Sequence, residues 1–118
     1  MYAPPPRLNL LVIRYSDIDR AARFYQSLGL LITRHVHGGP QHYTSEVDGT
    51  VFEIYPATES HPASATRFGF AVDDVDALLP PLVELGSQVL KAPHDSPWGR
   101  RAVVRDLDGN TLELVNAT

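Results

Sequence analysis

Two glutamates stand out as groups that could do chemistry, because each follows an Asp-Gly turn on a strand of alternating residues. Glu113 lies in Asp108-Gly109-Asn110-Thr111-Leu112-Glu113-Leu114-Val115, and Glu53 lies in Asp48-Gly49-Thr50-Val51-Phe52-Glu53-Ile54-Tyr55. A period of two puts Leu112 and Leu114, like Phe52 and Ile54, on one face and the lone carboxylate on the other. Such a carboxylate is a candidate ligand group, general base or ion-pair partner. Three histidines, His35, His37 and His42, gather around Gly38-Gly39-Pro40 and invite a metal reading. Their spacings of two and five across a turn match no standard zinc motif, so they read as surface or rim groups, with His42 the one expected to touch a ligand. Tyr55 shares the face of Glu53, and Trp98 sits in a Pro-Trp-Gly loop; either could stack on a flat ligand. The run Asp106-Leu107-Asp108-Gly109-Asn110 is not a calcium loop, since its glycine comes too early and its twelfth position is Ala117.

The elements that must position these groups occur twice. Leu8 to Arg14 alternates as a strand, and Ser16 or Asp17 can cap a helix through Ile18, Ala21, Ala22, Tyr25 and Leu28 that ends at Gly29. Strands are expected over Leu30 to Val36, Gln41 to Val47 and Val51 to Tyr55. The order then restarts: a strand at Arg67 to Val72, and a helix capped by Asp74 with Val75, Leu78, Leu79, Leu82 and Leu85 on its apolar side. Short strands follow at Gln88 to Lys91, Arg100 to Arg105 and Thr111 to Val115, with His94 to Gly99 as a loop. Asp74 lies 57 residues after Asp17, and Glu113 lies 60 after Glu53, so an insertion of three is expected near that loop. Pro80-Pro81 interrupts the second helix, where a proline costs roughly 3 kcal/mol, and predicts a kink or a helix proper that starts at Pro80. By alternation Arg101 and Val103 face the same way as Glu113, while Ala102 and Val104 face the helix. Arg14 and Arg101 otherwise read as solvated rim arginines.

The chain of 118 residues, 43% hydrophobic and without cysteine, can bury one core and excludes disulfides. The expected organisation is a single domain over 1–118, with module one at 8–56, a linker at 57–66 and module two at 67–116. No apolar run reaches the length of a membrane span, and the proline-rich start lacks the features of a secretory signal, so the expected location is cytoplasmic. A net charge of −4 with nine Arg and one Lys gives no basic stripe, which argues against nucleic acid as a partner.

The run from Val12 to Gly29, with Asp17, Phe24-Tyr25 and Leu28-Gly29, and the closing Asp106-Leu107-Asp108-Gly109-Asn110-Thr111-Leu112-Glu113-Leu114 together resemble the vicinal oxygen chelate superfamily. That superfamily includes glyoxalase I, extradiol dioxygenases and the bleomycin-resistance proteins, and the resemblance covers residues 8 to 115. It implies an α+β fold of two βαβββ modules pairing into a curved mixed-sheet bowl, a homodimer, and a small organic ligand held inside the sheet cavity. Its motifs mark the fold and are shared by members with unrelated activities.

In metal-using members each module gives the ion one residue from its first strand and one from its last, positions that the repeat maps here to Leu10, Glu53, Arg67 and Glu113. Leucine has no donor, and arginine stays protonated and repels a cation, so this set is not competent for metal. Arg67 has its own reading: between two carboxylates in one cavity it would neutralise both, either as a structural triad or as the anchor of an anionic ligand group. The resulting expectation is a metal-independent binding protein without cofactor, whose cavity is lined by Glu53, Arg67, Glu113 and Arg101, with His42, Tyr55 and Trp98 as further contacts. The competing expectation is an enzyme: a glyoxalase-like lyase or isomerase using Zn, Ni, Mn or Fe, or one using Glu113 as general base.

Overall fold

The computed structural model describes residues 3–36 and 38–117, so His37 lies outside the described residues. Strand β1 (Leu10–Tyr15) leads to helix α1 (Ile18–Leu28), then β2 (Thr33–His35), β3 (His42–Val47) and β4 (Thr50–Pro56). The second half repeats this with β5 (Arg67–Val72), α2 (Val75–Glu84), β6 (Gln88–Ser96), β7 (Gly99–Arg105) and β8 (Thr111–Asn116). Each half is a four-stranded mixed sheet, ordered β1-β4-β3-β2 and β5-β8-β7-β6. The first strand pairs parallel with the last, and the other neighbours are antiparallel. The fold is therefore α+β with two βαβββ halves.

Local chemistry accounts for the helix ends. Asp17 Oδ1 accepts the Arg20 N–H at 3.1 Å, and Gly29 takes φ 117° so that its N–H and that of Leu30 close the last turn onto Gln26 and Tyr25. Asp74 caps α2 in the same way through the Ala77 N–H. Helix α2 is one element from Val75 with both prolines inside, so of the two expectations at Pro80-Pro81, a kink or a later start, the later start does not hold. Val75, Leu79 and Leu82 are buried in the core, and that burial carries the segment through two missing backbone donors. Strand β2 is shorter than expected, whereas β6 is longer and includes His94 to Ser96, where the sequence predicts a loop. Nine residues of β6 oppose seven of β7 through register shifts at Val89/Lys91 and Lys91/His94, so extra residues are absorbed as bulges and the hairpin turns at Pro97-Trp98.

The two halves meet through their apolar faces. Tyr25, Phe52, Phe68 and Phe70 form a cluster across the junction, with Phe52–Phe68 ring centroids at 5.8 Å and Tyr25–Phe70 at 6.1 Å. Beneath it lies a polar clamp. The buried Asp106 carboxylate has Tyr15 Oη at 2.9 Å, Tyr25 Oη at 2.8 Å and Asn110 Nδ2 at 2.8 Å from Oδ2, while its Oδ1 accepts the N–H groups of Asp108 and Asn110. Burial above all, with the Asp106 carboxylate adding to it, pushes both phenols far above their ordinary pKa, so they remain proton donors. Ser16 adds bonds from its N–H and hydroxyl to Asp108. Because the shared core takes the apolar face of each sheet, the polar faces lie on the far sides from it. Neither β1 nor β5 is bonded to a second strand among the described residues, so each sheet has an open edge there.

Removing one donor from a buried carboxylate costs about 1–3 kcal/mol. Tyr25→Phe is expected to lower the unfolding free energy by that amount in a urea titration, and a loss below about 0.5 kcal/mol would show that the clamp does not join the halves.

Candidate functional site

The polar face of the first sheet carries a row of flat groups, one per strand, aligned by register. Arg14 is opposite Tyr55, and His35 is opposite His42. The His35 and His42 rings stack at 5.4 Å, His42 and Tyr55 at 4.3 Å, and the Arg14 guanidinium lies 5.0 Å over the Tyr55 ring. Glu53 is held beside this row by the Thr44 hydroxyl at 3.0 Å, with His42 Nε2 3.6 Å from its Oε2. Tyr43 points the other way and hydrogen-bonds Asp19 of α1.

The polar face of the second sheet is more strongly charged. Arg67 Nε donates to Glu113 Oε2 at 2.7 Å, and Arg101 Nη2 donates to Glu113 Oε1. One carboxylate thus takes two guanidiniums. The Arg67 hydrogen bond, with Arg101 adding to it, holds the Glu113 carboxyl below its ordinary range. An ionised, doubly paired carboxylate is a weak proton acceptor, which disfavours it as a general base. A cavity of about 590 Å³ opens against Glu113, Arg101, Gly69, Phe70, Ala71, Trp98 and Val115. Trp98 stands at its rim with 74% of its surface exposed.

Gly69 is absent from the residues that the sequence pattern singles out, although a glycine inside a strand is a known sign of close approach. It sits opposite Glu113, and a Cβ there would stand 2.8 Å from the Glu113 carbonyl oxygen. Its bare backbone leaves the floor of the cavity open.

These residues do not form the single cluster expected from the sequence. Glu53 does not line the Glu113 cavity, and Arg67 pairs with Glu113 rather than bridging both glutamates. The reason is the packing: the halves join by their apolar faces, so Glu53, His42 and Tyr55 share one polar face, and Arg67, Arg101, Glu113 and Trp98 belong to another. A second cleft, of about 800 Å³, lies between the halves along the open edges of β1 and β5 and is lined mainly by apolar groups such as Leu11, Phe52, Phe68 and Leu78.

The residues at the superfamily metal positions do not fit an ion. Leu10 offers no donor, Arg67 is a cation, and Glu113 is already occupied by two guanidiniums. Among the described residues no three His, Cys, Asp or Glu side chains are grouped to hold a metal.

Glu113 is 38% exposed, and such pairs contribute about 0–1 kcal/mol. Glu113→Gln is therefore expected to change stability by no more than about 1 kcal/mol, and a larger loss in a urea titration would make the triad structural. Because its folded pKa is depressed, the pair's contribution is present above the ordinary glutamate pKa and is lost as pH falls through the lower folded value. A ¹³C titration should place the Glu113 midpoint below the ordinary value, and Arg67→Met should raise it; an unchanged midpoint in that variant would contradict the pairing.

Comparison with known proteins agrees with this architecture. An uncharacterised protein of Mycolicibacterium smegmatis is 28% identical over 106 residues, covering 89% of each chain. A glyoxalase/bleomycin resistance protein from Streptomyces sp. CB03234 superposes with a TM-score of 0.68 at 29% identity, covering 93% of this chain and 100% of its own. TnmS3, an antibiotic binding protein from the same Streptomyces strain, superposes with a TM-score of 0.76 at 24% identity over 99% and 100% of the two chains, a likeness of fold. The family model for the Glyoxalase/Bleomycin resistance protein/Dioxygenase superfamily matches residues 7–114, and the chain belongs to that superfamily.

Proposed function

We propose that this chain is a metal-independent binding protein for a small organic ligand, held on the polar sheet faces. The observation that carries this reading is the Arg67–Glu113–Arg101 cluster, because two positions that the resemblance implies as metal donors are here a cation and a carboxylate paired with it. The adjoining cavity, about 590 Å³ with few polar groups at fixed positions, has the size and character of a small-molecule site. A structural neighbour named as an antibiotic binding protein shows the same fold in that service.

The reading includes a homodimer. In one chain the Glu53 face and the Glu113 face are separate, and a second copy would bring the first face of one chain opposite the second face of the other. The open edges of β1 and β5, the apolar cleft beside them, and the exposed Leu8 (73%), Leu10 (49%) and Val12 (38%) support a covering partner. No helix among the described residues is long and apolar enough to cross a membrane.

A thermal-shift screen of aromatic and heterocyclic small molecules, with and without a strong chelator, tests the binding claim. A ligand-dependent rise in Tm that the chelator leaves unchanged is expected; a rise abolished by the chelator would overturn metal independence. Sedimentation equilibrium at micromolar concentration should give twice the chain mass, and a monomer there would remove the composite cavity.

A further inference from the structure

We infer that the ligand carries an anionic group attached to a flat aromatic ring, with the anion held by Arg101, which lines the cavity, and by the exposed Arg67 beside it, and the ring against Trp98. This rests on the binding reading above and narrows it to a ligand class. Local charge favours an anion. Glu113 neutralises only one of the two guanidiniums that hold it, so its cluster keeps one positive charge. A chain with net charge −4 thus concentrates surplus positive charge at the mouth of its cavity.

Hydrogen-bonding capacity points the same way. Among the described residues Arg67 donates to Glu113 through Nε, and Arg101 donates through Nη2. A guanidinium has five N–H donors, so both retain donors for the oxygens of a carboxylate, sulfonate or ionised phenol. Arg101 is only 15% exposed and lines the cavity, so an acceptor meeting it is partly desolvated and the interaction strengthens.

The shape of the cavity selects the ring. Gly69 and Ala71 leave the floor without bulk, and Trp98 presents a largely exposed indole at the rim, which suits a flat group rather than a flexible chain.

Trp98 is the only tryptophan, so its emission has a single source at the rim of this site. Three probes of one shape separate charge from ring: 9-anthracenecarboxylate, 9-anthracenecarboxamide and 9-anthracenylmethylammonium, each titrated against the full chain while Trp98 emission is followed. The carboxylate is expected to bind on the order of tenfold more tightly than the amide, with the ammonium weakest. In Arg101→Met and Arg67→Met the carboxylate's advantage should shrink toward parity while the amide is little changed. Arg101→Lys, which keeps the charge but loses the fork, should fall between, and circular dichroism confirms that each variant folds. Equal binding of carboxylate and amide, or preference for the ammonium, would overturn the anion assignment and leave the binding reading standing. Quenching by none of the three would overturn the inference, and the chelator-controlled thermal-shift screen then decides the binding reading separately.

Discussion

One buried carboxylate ties the two halves of the chain together. Asp106 accepts from two tyrosines of the first half and from the turn of the second, and it stays buried because these groups replace the water it loses. Tyr15 ends β1 and Tyr25 lies in α1, while Asp106 follows β7, so a single side chain fixes a strand and a helix of one half against a turn of the other. The ring cluster of Tyr25, Phe52, Phe68 and Phe70 fills the space above it. Polar clamp and aromatic packing share Tyr25, which serves both with its hydroxyl and its ring.

Function depends on which faces this packing leaves free. Since both sheets give their apolar sides to the shared core, the polar sides remain free, and the two have diverged. Glu53 is held by a neutral hydroxyl and stands beside a histidine, with a stacked row of Arg14, Tyr55, His42 and His35 across the sheet. Glu113, at the matching place, is held by two arginines. Duplication explains the likeness of position; Arg67 where the first half has Leu10, and Arg101 where it has His42, explain the difference in chemistry. Leu10 and Arg67, which the repeat pairs with one another, present an isobutyl group and a guanidinium.

Much of the fold is legible in the sequence because its signals are local. Asp17, Gly29 and Asp74 are caps whose chemistry acts over a turn, and the alternation around Phe52 and Leu112 reports burial directly. The full length of strand β6 is hidden because its bulges break the period of two and Pro93 lies inside it, a combination that an edge strand tolerates. The start of α2 is misleading because the penalty of Pro80-Pro81 is local, whereas the burial of Val75, Leu79 and Leu82 that outweighs it is tertiary. The site is harder to read. Repeat spacing indicates equivalent positions but not how two halves pack, so it cannot separate the Glu53 face from the Glu113 face or show that Arg101 joins Arg67. The stacked row likewise depends on strand register, which no single segment encodes.

On the proposed reading, the two guanidiniums at Glu113 stand in for the ion of metal-using members of the superfamily. Calorimetric titration of Zn²⁺, Ni²⁺, Mn²⁺ and Fe²⁺ into the purified chain, with the Glu113 carboxyl followed by ¹³C NMR in the diamagnetic Zn²⁺ case, puts this to the test. No saturable heat at one ion per chain and an unmoved Glu113 resonance are expected. Stoichiometric uptake that shifts the resonance and releases Arg67 would refute the substitution of arginine for metal.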